Sequence, residues 1–313
     1  MKYNNYNANC PKVSKIGFGA WQLGKSNDWK AMTDKEAMEL VHKALDLGVN
    51  FFDTAPNYGL GSSESRLGLA LSGKDRTKIV INTKFGHNDN GQTNFEAENI
   101  RPSLEGSLRR LKTDYVDSII IHNPPFSYLD GNKNDHYEIL ERLKDEGKLK
   151  AYGASLDTTE EIKLFLSTTK AEVIEAFFNV LHQEVRKAFN QTLEKGVSII
   201  AKIPLDSGWL SGQYDENSTF NDIRKRWSKE DIKIRAELVN QIKEIIPKDE
   251  NIAQIAISYC SAYDAVSTVI PGNKNIKQLI QNVESINNPI SNELVQKLED
   301  FYNKKVEMLR LPW

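Results

Sequence analysis

Eight apolar runs of strand length alternate with amphipathic segments of helix length along this chain, from Lys15-Ile16-Gly17-Phe18-Gly19 to Val266-Ser267-Thr268-Val269-Ile270. The runs occupy residues 16–20, 51–54, 79–83, 116–122, 151–155, 173–178, 198–203 and 265–270. Between them lie helix patterns at 33–47, 138–146, 158–166 and 276–286; Thr33 and Glu36 have capping-box spacing, and Gly48 and Gly147 supply stops. An eightfold strand and helix alternation predicts an α/β fold whose parallel sheet closes into a (β/α)8 TIM barrel. An open doubly wound sheet is the alternative that the pattern leaves standing.

The length of 313 residues allows either two ordinary domains or one barrel of roughly 250 residues with additions, and does not by itself choose between them. No Pro-, Gly- or Ser-rich linker divides the chain, so residues 1–313 are expected to form a single domain. The additions are residues 2–14, expected as an N-terminal hairpin over the barrel floor, residues 214–246 in the seventh strand-to-helix connection, and residues 292–313, expected as an extra C-terminal helix. The second is rich in charge around Arg224-Lys225-Arg226 and reads more readily as a solvated loop and surface helix than as a substrate lid.

With 41 Lys and Arg against 43 Asp and Glu, the net charge of -2 argues against nucleic acid or an acidic membrane surface as partner. No apolar run approaches the roughly 18 residues of a membrane span, and the opening MKYNNYNANC lacks the apolar stretch of a secretory signal. Cys10 and Cys260 are too far apart for a redox or zinc motif, and His42, His87, His136 and His182 have neither an i+4 histidine nor a Cys cluster. The expectation is a reduced, cytoplasmic, metal-free protein with those four histidines structural or on the surface. The oligomeric state is not legible.

Barrel enzymes carry their chemistry at the C-terminal ends of the strands, so polar residues that interrupt those ends are the candidates. Asp53 closes Phe51-Phe52-Asp53, Tyr58 follows in the loop, Lys84 closes Ile79 to Lys84, and His122 closes Ile119-Ile120-Ile121-His122. Singly, a strand-end Asp is a common helix cap, a Lys snorkels and a His is structural. Together they bring a carboxylate, a phenol, an ammonium and an imidazole to one rim. A phenol with a reference pKa of about 10 is a reluctant acid at neutral pH. An ammonium about 4 Å away favours phenolate by roughly 4 kcal/mol at an effective dielectric near 20, about three pKa units before desolvation subtracts its share, which is expected to suffice to lower the phenol's pKa. Gly17-Phe18-Gly19-Ala20-Trp21-Gln22 is not a dinucleotide fingerprint, because Gln22 takes the third glycine's place. Gly59 to Glu64 reads as a helix cap by Ser62 or Ser63, with a phosphate nest as the alternative.

The order Phe52-Asp53-Thr54-Ala55-Pro56-Asn57-Tyr58-Gly59, Ser63-Glu64-Ser65-Arg66-Leu67-Gly68, Thr83-Lys84 and Ile121-His122-Asn123-Pro124 resembles the successive motifs of the aldo-keto reductase family. The likeness continues through Tyr152-Gly153-Ala154-Ser155, Phe178-Asn179-Val180-Leu181, Ile203-Pro204-Leu205 and Val269-Ile270-Pro271-Gly272. It implies a barrel that binds a nicotinamide dinucleotide, usually NADPH, in extended form and reduces a small-molecule aldehyde or ketone. Carried over residue by residue, the resemblance makes Tyr58 the proton donor, Lys84 and Asp53 its charge partners, and His122 a ligand of the substrate oxygen. It places Ala20 and Trp21 beside the nicotinamide, Trp21 also in the substrate pocket, and Ser155 on the carboxamide. Pro204 and Leu205 fall in a cofactor-binding stretch.

This chain departs from the family pattern at several of these positions. Leu156 stands where many relatives have Asn, and Glu175 where many have Gln. Lys202 replaces the Tyr that stacks on the nicotinamide, its stem able to cover the ring with the ammonium near the pyrophosphate. Gly272, Lys274 and Gln278 fall where the adenosine 2′-phosphate is held, Gln278 in place of an Arg, with Gln281 and Asn282 toward the adenine. Lys274, Lys277 and the free N–H groups of a helix N-terminus keep NADPH ahead, but with a narrower margin over NADH. A cofactor-binding regulatory or scaffold protein is the runner-up reading, and a lyase with Lys84 as Schiff base comes third.

Overall fold

The computed structural model describes residues 1–25, 28–29 and 31–312. Two strands, β1 (Tyr3–Asn4) and β2 (Val13–Ser14), pair antiparallel as the expected N-terminal hairpin. The other eight are β3 (Phe18–Gly19), β4 (Phe51–Asp53), β5 (Val80–Phe85), β6 (Val116–Ile121), β7 (Leu149–Leu156), β8 (Val173–Phe177), β9 (Ser198–Lys202) and β10 (Val266–Ile270). Each runs parallel to its chain neighbour, in the sheet order β3 to β10. The seam between β10 and β3 is closed by parallel bridges at Ile16↔Val269 and Gly19↔Gly272, with Gly17 N donating to Val269 O at 2.8 Å. The open doubly wound sheet is thereby excluded. A side chain at Gly17 would meet Phe51 Cδ1 and Thr268 Oγ1, each at 2.9 Å, so the seam needs glycine there.

The sequence locates every barrel strand, with shifted ends. The first run shrinks to two residues because its β10 side is bridged rather than laddered, whereas β7 starts two residues early and the third run extends to Phe85. The helix Asp34–Asp46 begins at the Thr33 and Glu36 capping box, and Thr158 with Glu161 repeats the device. The helix Asn292–Phe301 is the extra C-terminal helix, capped by Ser291. The insertion after β9 contains the long helix Lys229–Ile245. Among the described residues no helix is long and apolar enough to cross a membrane.

Side chains alternate in and out along each strand, so the inward residues form layers across the barrel. The lower layers are apolar: Phe51, Val80, Ile120, Ala151, Val173 and Ile200 pack with Tyr6 and Val13 of the hairpin, which seals the floor. Two residues further along β4, β8 and β9 the inward positions become Asp53, Glu175 and Lys202, and four further along β5 the position becomes Lys84. The core thus changes from apolar to charged toward the C-terminal ends of the strands.

Candidate active site

Lys84 is fully buried, and Asp53 and Glu175 are each only 2% exposed. The Lys84 Nζ lies 2.7 Å from both carboxylate oxygens of Asp53, 3.2 Å from the carbonyl of Thr54 and 3.2 Å from Glu175 Oε2. Burial pulls the pKa of this ammonium down, but the two carboxylates overcome that and hold it above the ordinary lysine value. Glu175 experiences the converse. Burial and the charge of Asp53 push its carboxyl up to about 7, against the pull of Lys84 and Lys202. A lysine between two carboxylates is therefore a permanent cation, and one of its partners titrates near neutrality.

Tyr58 sits in the loop after β4, with its ring stacked on Trp21 at 5.6 Å and its centroid 5.1 Å from Lys84 Nζ. Desolvation raises the phenol's pKa, and Lys84 pulls it down without reversing the rise. The expectation that Lys84 would bring the phenol's pKa below its ordinary value is thus corrected. The hydroxyl stays protonated, and the lysine's field acts chiefly on any phenolate that proton donation leaves behind. His122 meets Tyr58 edge-on at 6.0 Å and the His87 ring at 5.0 Å. Burial, then the charges of Lys84, His87 and Lys202, lowers its pKa well below the ordinary histidine value, so the imidazole is neutral.

Above these groups lies a cleft of about 410 Å³. Trp21, Asp53, Tyr58, His122, Glu175, Lys202, Pro204, Leu205, Gly272, Lys274 and Gln278 line it. Lys84 lies beneath. Ala20 is buried, its carbonyl accepting from Ser63 Oγ, which also bonds Thr54 Oγ1. The expected serine cap is absent: Gly61 takes the N-cap position in a left-handed conformation, and Ser62 Oγ donates to Gly59 O. Ser155 is reached through Lys202, whose Nζ lies 2.7 Å from its Oγ, 2.8 Å from Asn123 Oδ1 and 2.9 Å from Asp157 Oδ1. Those partners commit the Lys202 ammonium to the β6 and β7 side of the mouth.

The last barrel helix departs further from expectation. Asn282 turns its amide inward onto Gly272 O and Asn273 Oδ1, and Gln281 is exposed with its carbonyl bonded by Gln254, so neither lines the cleft. The N-terminus of the helix Ile276–Glu284 is partly satisfied by its own side chains: Asn275 caps Gln278 N, and Gln278 Oε1 accepts from Lys274 N. An incoming anion finds fewer free N–H groups there than the sequence suggests.

Several lining residues escape the sequence reading. His87, expected as structural, stands two residues beyond the end of β5, where a wider strand-end rule would have found it. Tyr214, Ile223 and Arg226 bring the insertion into the cleft wall, which corrects its reading as a purely solvated loop. Gln22 Oε1, Trp29 Nε1, Asn57 Oδ1 and His122 Nδ1 are buried without a hydrogen-bond partner among the described residues, and all four residues line the cleft. Unpaired buried polar atoms around one cavity mark a place built to receive a polar ligand. The cleft fits a nicotinamide dinucleotide in this respect, with Lys274 and Arg226 at hand for its phosphates.

Residues 15–303 match the profile of the family described as the Aldo/keto reductase family. L-galactose dehydrogenase of Arabidopsis thaliana is 29% identical over 282 residues, covering 88% of this chain and 85% of that one. The NADH-specific methylglyoxal reductase of Escherichia coli is 25% identical over 300 residues, 88% of this chain and 90% of that one. Among solved structures, the holo form of aldo-keto reductase AKR11C1 from Bacillus halodurans superposes with a TM-score of 0.81 at 28% identity, covering 96% of both chains.

Proposed function

The chain belongs to the aldo/keto reductase family, and from that premise we propose that it reduces an aldehyde or ketone to an alcohol with NADPH, Tyr58 supplying the proton. The carrying observation is the cation beneath the phenol: Lys84, gripped by Asp53 and Glu175, lies 5.1 Å from the Tyr58 ring while Tyr58 and His122 face the same cleft. When bound, the cofactor supplies the hydride. Neutral His122 donates an N–H to the carbonyl oxygen and orients it. Tyr58 gives its proton to the oxygen as negative charge develops, and Lys84 stabilises the phenolate left behind. Asp53 keeps the ammonium charged and pointed at the ring. Trp21, stacked on Tyr58, helps exclude water. A buried lysine held between two carboxylates beneath a phenol supports the enzyme reading over that of a bare binding platform. The same proposal takes residues 1–313 as one barrel domain acting on small molecules in the cytoplasm. The test is a panel of aldehydes and ketones followed by NADPH absorbance. Binding of NADPH without consumption in the presence of any of them would overturn the reading.

Two further expectations follow from the site. Ionised Glu175 adds a negative charge that raises the phenol's pKa. Its own carboxyl releases the proton as pH rises through about 7. Reduction should therefore be faster below that pH and decline above it by about three- to tenfold, as the acid becomes weaker. Glu175→Gln, which cannot ionise, should show no such step. A wild-type kcat profile flat over about one pH unit either side of that ionisation would contradict this.

NADPH is favoured over NADH by Lys274 and Arg226 at the cleft. The margin is narrow because Gln278, its side chain already bonded to Lys274 N, offers no fork to a phosphate. Fluorescence titration should show Lys274→Ala weakening NADPH by about three- to tenfold and NADH hardly at all. Tighter NADH binding by the unaltered protein, or equal weakening of both, would reverse the preference.

A further inference from the structure

The geometry points to a hydrogen-bonded column, Tyr6 to Ser118 to Asn82, that rises through the barrel from the N-terminal hairpin and fixes the orientation of Asp53 under Lys84. Tyr6, Ser118 and Asn82 are then positioning residues for the proton-donating pair. In the sheet register Asp53 lies beside Asn82 and Asn82 beside Ser118, so three inward side chains on β4, β5 and β6 stand in one row. Ser118 Oγ donates to Asn82 Oδ1 at 2.6 Å, which uses its only hydrogen. The 2.7 Å contact between Tyr6 OH and Ser118 Oγ must therefore have Tyr6 as donor. Asn82 Nδ2 donates to Asp53 Oδ2 at 2.7 Å and points to Glu175 Oε2 at 3.5 Å. Flipping the amide would set its oxygen against two carboxylates and its NH2 against the Ser118 hydrogen, so the whole chain has one direction.

Tyr6, Ser118, Asn82 and the Asp53 they reach are all buried, none more than 2% exposed. Burial holds the Tyr6 phenol well above its ordinary pKa, and it remains a donor at every working pH. Its ring meets Phe51 edge-on at 5.3 Å, and its carbonyl accepts from Ser198 Oγ. The column threads an otherwise apolar interior of Phe51, Val80, Ile120 and Val173. Apolar side chains could fill that space without the desolvation cost of polar groups, so stability alone does not call for the column. What it provides is a defined carboxylate plane. Lys84 bonds both Asp53 oxygens at equal distance and leaves rotation of that carboxylate to be set by Asn82.

This inference rests on the reading of Lys84 and Tyr58 as the proton-donating pair, and its test has one readout that needs no turnover. Tyr6→Phe and Ser118→Ala remove single hydroxyls far from the cleft. The proton–nitrogen correlation spectrum of lysine-labelled protein should show the buried Lys84 ammonium signal, assigned by its loss in Lys84→Met, displaced in both variants. In parallel, kcat should fall by about three- to tenfold in each and about 10- to 100-fold in Asn82→Leu, with KM and the NADPH Kd unchanged, as misplacement of a catalytic group requires. An ammonium signal at its original position in Tyr6→Phe and Ser118→Ala would overturn the inference even if carbonyl reduction is confirmed. A displaced signal supports the column even if no carbonyl substrate is found.

Discussion

Tyr58→Phe should lower carbonyl reduction by about a hundred- to ten-thousandfold while the NADPH Kd stays within about twofold of the unaltered value. The substitution removes one oxygen and leaves the ring stacked on Trp21 over Lys84, so the wall of the cleft persists. The lost oxygen is the proton donor. Because burial keeps the phenol's pKa high, proton transfer from it depends on Lys84 stabilising the phenolate, and water in that position would lack both the placement and the fixed charge. Steady-state kinetics with the best carbonyl of the panel, together with fluorescence titration of NADPH, checks both halves. Turnover close to that of the unaltered enzyme would remove Tyr58 from the chemistry.

Lys84→Met should be comparably damaging to turnover and also costly to the fold. The methionine fills most of the space but leaves Asp53 and Glu175 buried without their shared cation. Losing one partner of a buried ion pair costs about 3–5 kcal/mol, and here two acids are left facing each other. The pair lowers that cost by taking up a proton. Since Lys84 holds the Glu175 carboxyl down, its removal shifts that ionisation to higher pH, and the stability of the variant should fall more steeply than the parent's on the alkaline side. Denaturant melts at acid and alkaline pH read the stability, and kcat per folded molecule reads the chemistry. An active Lys84→Met would contradict the role of the ammonium. Borohydride trapping of a substrate adduct on Lys84 in the unaltered protein would replace the reductase with a lyase.

The strands and the four rim residues were legible because they depend on local rules. Apolar runs of the right length mark the eight strands, and a polar residue closing such a run marks Asp53, Lys84 and His122 without knowledge of what lies across the barrel. Contacts that span the interior were not legible. Glu175 reads as a replaced amide in sequence, and its approach to Lys84 arises from the way β8 and β5 face each other across the closed barrel. Asn82 carried a local signal, an amide between Val80 and Lys84 on the inward face of β5, but its partners depend on the register of β4 and β6. The cap at Gln278 and the inward turn of Asn282 hide in a helix start whose composition suits a phosphate site equally well. The insertion reached the cleft through Tyr214 and Arg226 because the packing of Arg224 among Trp29, Tyr214 and Phe220 draws it inward, and charge content does not reveal such stacking.

In the proposed reaction this barrel moves a hydride from NADPH to a carbonyl carbon while Tyr58 protonates the oxygen. A single-turnover experiment with NADPH carrying deuterium at the transferable position, in ordinary water and with product identified by mass spectrometry, tests it most directly. One alcohol should form per NADPH consumed, with deuterium on the carbinol carbon, in the unaltered enzyme, and Tyr58→Phe with NADPH bound should form it about a hundred- to ten-thousandfold more slowly. Alcohol without label, or labelled alcohol formed as fast by Tyr58→Phe, would contradict it.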